Sequence, residues 1–222
     1  MTTTLTTHPV APLLARLLAD AAAASPLASP AVADLSAADR ARMMRSKTDY
    51  IEFYGRLKGF PLAVSGETGK LLYMLARSSR AATIVEFGTS FGISTLHLAS
   101  ALRDNGGGRL ISSEFEPSKV ARARHNLTAG GLIDLVEIRV GDALQTLRAD
   151  LPDTIDLLLL DGAKALYPDV LRLVEGRLRP GAFIVADDAD YSAEYLSYVR
   201  STDNGYLSIA VGDDVELSMR TR

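Results

Sequence analysis

Apolar positions follow two spacings along this chain, and the spacing changes near residue 82. After that point, short runs that are almost wholly apolar alternate with segments in which apolar side chains recur every three or four positions. Near-continuous apolar runs are typical of strands buried on both faces of a parallel sheet, and the second spacing predicts amphipathic helices. The runs predict strands at 83–87, 110–115, 135–140, 155–160 and 182–186, with helices between them at 93–102, 117–129, 143–151 and 168–178.

The pattern changes again after residue 205. Two short runs, 206–211 and 215–220, flank the segment Gly212-Asp213-Asp214, which predicts a β-hairpin. Strand–helix units that close with a hairpin predict an α/β fold. We therefore expect a Rossmann-like, seven-stranded, mostly parallel sheet with a C-terminal antiparallel β-hairpin and helices on both faces.

The first 35 residues lie outside this alternation, and we assign 1–35 to an N-terminal extension and 36–222 to one domain. Residues 1–11 are predicted to be a disordered tail. Residues 12–24 predict a helix with a leucine stripe, which needs a surface to bury against. That surface is the helix's own domain or a second copy of the chain. Further helices are predicted at 36–57 and 67–77.

Composition excludes some classes of protein. The net charge of −3 gives no electrostatic reason to expect nucleic acid or an anionic membrane surface as a partner. The chain has no cysteine, which excludes disulfides and thiolate metal sites and fits a reducing cytoplasm. No apolar run approaches the roughly 18–20 residues of a membrane span, and the N-terminus lacks the basic start of a signal peptide. We expect a cytoplasmic location.

The most informative stretch joins the first predicted strand to the next helix. It reads Glu86-Phe87-Gly88-Thr89-Ser90-Phe91-Gly92 and leads into a Ser/Thr-rich helix start. Glycines let the backbone approach a ligand closely, and a helix N-terminus offers free N–H groups, so the loop is typical of a nucleotide-sized site. The glycine spacing is not that of dinucleotide-binding proteins, and Glu86 would repel a pyrophosphate. An acid here suits a ligand with a cationic end.

Each predicted parallel strand ends at an acidic residue. A single acid in this place is commonly a helix N-cap, but a succession of acids at one sheet edge is repulsive unless cations lie among them. The acids are Glu86, Glu114, Asp142, Asp161 and the pair Asp187-Asp188.

These acids suit different ligand groups. Glu114, at the end of the second strand, can accept both hydroxyls of a ribose, and Asp142 can accept an adenine amino group. Asp161, Asp187 and Asp188 provide oxygen ligands without Cys or His, the kind preferred by Mg²⁺, Ca²⁺ or Mn²⁺.

Lys164 lies three residues after Asp161, so it is predicted to project into the same site. A solvated lysine at the start of a loop is the simpler interpretation. Beside a divalent cation, however, the pKa of a lysine falls, which would allow Lys164 to act as a general base.

Several motifs, taken in order, resemble those of one enzyme family. From about Ser65 to Arg220 the chain resembles the class I S-adenosylmethionine-dependent methyltransferases, and more narrowly the cation-dependent O-methyltransferases of the catechol and caffeoyl-CoA type. Any one motif is weak, but the ordered set is specific. The motifs are Val64-Ser65-Gly66-Glu67-Thr68-Gly69, the segment from Glu86 to Ser94, Asp161-Gly162-Ala163-Lys164 with Tyr167, and Ala186-Asp187-Asp188.

The resemblance implies methyl transfer from S-adenosylmethionine to a hydroxyl of a small catechol-like or vicinally oxygenated metabolite. It also implies a divalent cation, usually Mg²⁺, and we expect a homodimer. The implied cofactor contacts are Leu62, Val64, Glu86, Gly88, Ser94, Glu114, Asp142, Ala143 and Asp161. The implied metal ligands are Asp161, Asp187 and Asp188, and the implied catalytic residues are Lys164, as base, and Asp161.

The chain departs from the family pattern at the acceptor side. Asp188 replaces the usual asparagine, and the chain has no tryptophan. Since the aromatic clamp on the acceptor must then differ, the candidates are Tyr191, Tyr195 and Phe60.

Two other functions remain open. One is a metal-independent methyltransferase of the same fold that acts on another oxygen, nitrogen or carbon acceptor. The other is a non-catalytic module that binds an adenosine ligand, against which an intact Lys164 argues. A nicotinamide-dependent dehydrogenase ranks last because its glycine fingerprint is missing.

Overall fold

The computed structural model describes residues 3–212 and 214–222, and its central element is one seven-stranded sheet. The strand order is β3-β2-β1-β4-β5-β7-β6; β7 is antiparallel to both neighbours, and the other pairs are parallel. The strands are β1 Thr83–Phe87, β2 Arg109–Glu114, β3 Val136–Val140, β4 Ile155–Leu160, β5 Leu178–Ala186, β6 Tyr206–Val211 and β7 Val215–Arg220. The predicted Rossmann-like fold and its C-terminal hairpin are confirmed. Asp213 of the predicted turn lies outside the described residues.

Helices cover both faces of the sheet. They are α1 Val10–Ala23, α2 Ala37–Met44, α3 Tyr50–Arg56, α4 Gly66–Ser78, α5 Ile93–Asp104, α6 Pro117–Ala129, α7 Ala143–Thr146, α8 Tyr167–Val174 and α9 Ala193–Val199. Successive residues of β4 alternate between two apolar clusters, with Leu157 and Leu159 in one and Leu158 and Leu160 in the other. Both sets are fully buried, which explains why the central strands are almost continuously apolar.

The helix predicted over 36–57 is wrong in its continuity, because the structure divides it into α2 and α3. The Ser46 hydroxyl lies in the break and accepts a hydrogen bond from the Asp49 amide at 3.0 Å. A side chain that bonds to nearby backbone in this way competes with helix formation.

Two further helix predictions need correction, and a third helix has no counterpart among the predictions. The helix predicted over 143–151 ends at Thr146, because the Arg139 guanidinium binds the carbonyl oxygens of Thr146, Ala149 and Asp150. The helix predicted over 168–178 gives way to a 3-10 turn, and Leu178 begins β5. Helix α9 was missed altogether.

The N-terminal extension is folded onto the domain. The prediction of a disordered tail over 1–11 is wrong for residues 3–11, and residues 1–2 lie outside the described part. Thr4 donates from its amide and hydroxyl to the Asp104 carboxylate of α5, at 3.0 and 2.5 Å. The buried α1 side chains Leu13, Leu14 and Leu17 join the apolar cluster of the same chain.

Residues Val10–Val32 are long and apolar enough to cross a membrane by length and composition alone, with a mean hydropathy of 1.3. This differs from the expectation from sequence that no such run is present. In the structure the segment comprises α1 followed by 3-10 turns at Pro26–Ala28 and Pro30–Val32. Leu13, Leu14 and Leu17 of this segment pack against the domain, whereas Leu27 is 53% exposed.

Candidate functional site

A cavity of about 740 Å³ opens at the carboxyl ends of the parallel strands. The sheet order reverses its direction between β1 and β4, which is where ligands bind in open α/β sheets. Ten of the residues singled out in the sequence line this one cavity. They are Leu62, Val64, Gly88, Glu114, Asp142, Ala143, Asp161, Lys164, Asp187 and Asp188.

The glycine loop after β1 lets two strand ends approach each other. Gly88 has a φ of +102°, and a Cβ built there would lie 2.5 Å from the Asp161 carbonyl oxygen. Gly92, at the N-cap of α5, has a φ of +81°. Both positions therefore favour glycine for its conformational freedom, and at Gly88 the close backbone contact requires it as well.

Glu86 and Ser94 do not line the cavity. Glu86 is fully buried behind the loop, where its carboxylate accepts hydrogen bonds from Ser94 at 2.6 Å, Thr95 at 2.7 Å and Ser112 at 2.5 Å. Burial raises the pKa of Glu86 to about 7, against the opposing effect of these three hydroxyl donors. In the structure Glu86 and Ser94 support the loop, so their direct contact with a cofactor stays a prediction.

Glu114 stands on the cavity wall with its carboxylate held in place. One oxygen accepts from the Ser90 amide at 2.8 Å and the other from the Glu116 amide at 3.0 Å. Burial raises the pKa of Glu114, while these amides and the nearby Lys119 ammonium oppose the shift. Each carboxylate oxygen retains a lone pair that can accept from a ligand hydroxyl.

Asp142 caps the N-terminus of α7. Its side chain accepts a hydrogen bond from the Leu144 amide at 2.9 Å. The simple capping role considered from the sequence is thus correct for this acid. Because Asp142 and the buried Ala143 also line the cavity, capping leaves its second oxygen available to a ligand.

Lys164 bridges the acids at the other end of the cavity. Its Nζ lies 3.0 Å from Asp161 Oδ1 and 3.4 Å from Asp188 Oδ2. The side chains of Lys164 and Asp161 are 5% and 11% exposed, so this pair is withdrawn from water, whereas that of Asp188 is 42% exposed. Asp188 has a left-handed backbone with a φ of +50°.

Burial and crowding shift the pKa values of this cluster. Burial raises the pKa of Asp161, against the Lys164 charge, and burial together with the Asp161 charge raises that of Asp187 to about 8. Burial disfavours the Lys164 ammonium, but the neighbouring Tyr167 and the Asp161 carboxylate hold its pKa well above the ordinary value. In the structure as it stands, Lys164 is therefore protonated.

The described residues contain no group of three or more His, Asp or Glu side chains already arranged to hold a metal ion. Asp161 and Asp187 nevertheless lie close together, because the charge of Asp161 is one of the causes that raise the pKa of Asp187. Carboxylates crowded in a buried place repel each other unless a cation lies among them. The donor set fits a hard cation such as Mg²⁺.

The acceptor side of the cavity differs from the prediction. Tyr191, Tyr195 and Phe60, the candidates for an aromatic clamp, do not line it. The aromatic wall comes from α3 and from strand ends, and apolar residues of the N-terminal extension complete it. These additional lining residues include Leu18, Ala22, Pro26, Leu27, Met44, Tyr50, Phe53, Tyr54 and Phe115.

The sequence patterns did not predict most of these wall residues. The leucine stripe of α1 did indicate a buried face, but it did not predict that part of this face borders a cavity. Leu18 at the end of the stripe lies in the cavity wall, whereas Leu13, Leu14 and Leu17 are buried in the core. Gly162 is small because the Phe87 ring lies against it, where a Cβ would be 2.4 Å away.

Comparison with known proteins gives consistent matches. Residues 85–189 match a family model described as a methyltransferase domain. Catechol O-methyltransferase of Niastella koreensis is 37% identical over 59% of this chain and 60% of its own length. The Mycobacterium tuberculosis protein of the same name is 35% identical over 57% of each chain. Each match thus spans less than two thirds of the relative.

A solved structure extends the similarity over most of the chain. The O-methyltransferase of Streptomyces achromogenes involved in tomaymycin synthesis, in complex with SAM, is 29% identical with a TM-score of 0.64. The superposition covers 87% of this chain and 91% of that one.

Proposed function

We propose that this chain is an S-adenosylmethionine-dependent O-methyltransferase, similar to catechol O-methyltransferase, and that it methylates a hydroxyl of a small, vicinally oxygenated acceptor. The observation that carries the proposal is the arrangement of one cavity. Its wall runs from a glycine loop and Glu114 to a buried lysine among three aspartates. A cofactor with an adenosine part and a reactive methyl-donating part would need both ends of this wall.

The adenosine end has suitable partners. Glu114 would accept the ribose hydroxyls with its remaining lone pairs, and Asp142 with Ala143 would border the adenine. Gly88 permits close approach of the loop backbone, and Leu62 and Val64 supply apolar contact near the methionine end. When bound, the cofactor supplies an electrophilic methyl group on a sulfonium, which passes to the acceptor oxygen.

The reacting end has groups that can move a proton. Lys164 would take the proton of the acceptor hydroxyl at Nζ once it is in its neutral form, and Asp161, 3.0 Å away, would orient and then stabilise the resulting ammonium. A divalent cation held by Asp161, Asp187 and Asp188 would lower the pKa of nearby acids and of Lys164. The apolar walls exclude water and align the acceptor.

One observation favours the metal-independent alternative. Lys164 already compensates the charge of Asp161 and Asp188, and the described residues hold no ready-made cluster of metal ligands. In that case Asp161 and Asp187 would be the general base or polar ligands for the acceptor. Chelation decides between the two, because only the metal-dependent enzyme loses activity with EDTA and regains it with Mg²⁺.

Oligomeric state and location stay predictions. The leucine stripe that suggested a homodimer is buried largely against its own chain, so it no longer argues for a second copy. A small-molecule acceptor, a cytoplasmic location and the absence of nucleic-acid or membrane partners follow from composition and family likeness.

The proposal is tested by calorimetric titration of the protein with S-adenosylhomocysteine, in Mg²⁺ and in chelator, followed by titration of each complex with catechol. We expect cofactor binding that needs no metal and catechol binding that does. Cofactor binding without any metal-linked catechol response would favour the metal-independent enzyme. Failure to bind S-adenosylhomocysteine would overturn the proposal as a whole.

A further inference from the structure

The Tyr54 hydroxyl on α3 is unusual among the buried polar groups. Of the described residues, three have buried side-chain oxygens without a hydrogen-bond partner: Ser29, Tyr54 and Tyr195. Tyr54 is the one of these three that lines the cavity. A buried donor without a partner carries a desolvation cost, which a ligand oxygen in the cavity would remove.

The surroundings of Tyr54 locate it at the reacting end of the cavity. The charged groups that act on its hydroxyl are those of Lys164, Asp188 and Asp161. The hydroxyl of Tyr50, one helical turn earlier, is instead affected by the charge of Asp142, on the side of the cavity proposed for adenine. Mainly through burial, the pKa of Tyr54 is raised to about 12, so the phenol keeps its proton at neutral pH and can donate it in a hydrogen bond.

Packing holds α3 and the Tyr54 ring in place. The neighbouring side chains Phe53 and Leu57 are each 1% exposed and anchor α3 in a small apolar cluster. The Phe53 and Tyr54 rings make an edge-on contact with centroids 5.2 Å apart. In the loop before α3, Lys47 Nζ contacts the Asp169 carboxylate of α8 at 2.6 Å. A preorganised donor loses little entropy when it binds.

We infer that Tyr54 is an acceptor-binding residue, whose hydroxyl donates a hydrogen bond to the acceptor oxygen next to the one that is methylated. This inference rests on the proposed function and goes further, since it assigns recognition of the second acceptor oxygen to a residue of the N-terminal half. The catechol-like acceptor is then held by Tyr54 as well as by the groups around Lys164.

The test is a thermodynamic cycle between the enzyme hydroxyl and the ligand hydroxyl. Binding of catechol and of phenol to the S-adenosylhomocysteine complex in Mg²⁺ is measured by calorimetry for the wild type and Tyr54→Phe. We expect the substitution to weaken catechol binding about three- to tenfold and to leave phenol binding nearly unchanged. Any effect of the metal on the second oxygen is common to both proteins and cancels in the cycle.

The matched control is Tyr195→Phe, which removes a buried tyrosine hydroxyl outside the cavity wall. It should leave the preference for catechol over phenol as in the wild type. In turnover assays, Tyr54→Phe should raise the catechol KM by a larger factor than it lowers kcat. Its Tm without ligands should equal or exceed that of the wild type, because an unpartnered hydroxyl has been removed.

Two results would overturn the inference alone. They are an unchanged catechol preference in Tyr54→Phe, or an equal loss of catechol and phenol binding, in a protein that still binds S-adenosylhomocysteine. A wild-type protein that binds no S-adenosylhomocysteine would instead overturn the proposed function on which the inference rests.

Discussion

Asp161 and Lys164 illustrate how much a short spacing determines at the scale of single residues. The sequence places them three positions apart after a buried strand, and the structure brings Nζ within 3.0 Å of the carboxylate. The protonation state, however, depends on burial and on Asp188 and Tyr167, which come from elsewhere in the chain. The protein surroundings of Lys164 raise its pKa, and the fall that we expect beside a divalent cation stays a prediction.

Replacement of Lys164 tests the proposed base. Lys164→Met should lower kcat by roughly 10²- to 10⁴-fold, the usual contribution of a general base, with little change in S-adenosylhomocysteine affinity. Lys164→Arg keeps the positive charge beside Asp161 but does not release a proton near neutral pH, so it should be similarly slow. Steady-state kinetics and calorimetry provide the readouts, and wild-type turnover by the arginine variant would contradict the role.

Glu114 provides a second prediction at this scale. Glu114→Gln should weaken S-adenosylhomocysteine binding roughly 10- to 100-fold, because hydrogen bonds to a charged acceptor contribute about 1.5–3 kcal/mol. Glu116→Gln is the matched control, since Glu116 caps α6 through Ser118 and does not line the cavity. Equal affinities of the Glu114 variant and the wild type would show that the ribose assignment is wrong.

Elements that are buried on both faces were predictable, and elements set by long-range contacts were not. Strands β1 and β4 have the predicted bounds, because each is a short, mainly apolar run that is buried on both faces of the sheet. Helix α7 ends early because the Arg139 side chain of β3 binds backbone carbonyl oxygens at its end. The sequence does not show which groups this side chain contacts. The N-terminal extension is the largest departure, because its order comes from docking on α5 and from burial of α1.

The docking of α1 can be tested by truncating one leucine of its stripe. Leu14 is 5% exposed, so Leu14→Ala should reduce the free energy of unfolding by about 2–5 kcal/mol, measured by denaturant titration. Arg16→Ala on the same helix removes an exposed side chain and should change stability by less than about 0.5 kcal/mol. If both variants were equally stable, α1 would not be part of the cooperative core.

Across the whole molecule, stability should depend on the protonation of the buried Glu86. Its pKa of about 7 in the folded protein lies above the ordinary 4.5, so the native state holds a proton that the unfolded chain has lost between these values. The stabilisation is present below about pH 4.5 and is lost as the pH rises through about 7. The shift corresponds to roughly 3 kcal/mol.

We therefore expect Glu86→Gln to gain about 2.5 kcal/mol relative to the wild type as the pH is raised from about 5 to about 8, in denaturant titrations at each pH. Glu137→Gln is the control. The Arg109 hydrogen bond lowers the pKa of Glu137, so its contribution is lost only at more acidic pH, outside this window. Parallel stability curves for the wild type and Glu86→Gln would refute the assignment.

The sheet, the glycine loop and the acids at the strand ends could be predicted from the sequence. The spacing of apolar residues and the place of each acid along the chain suffice for this, because parallel strands deliver their carboxyl ends to one edge. Which of the predicted residues face the cavity depends on packing between distant segments, so it required the three-dimensional structure. Glu86 and Ser94 lie behind the loop, where the Ser94 hydroxyl donates a hydrogen bond to the buried Glu86 carboxylate. The predicted clamp residues do not line the cavity. The acceptor wall, with Tyr54, is assembled by packing of distant helices, and no local pattern encodes such contacts.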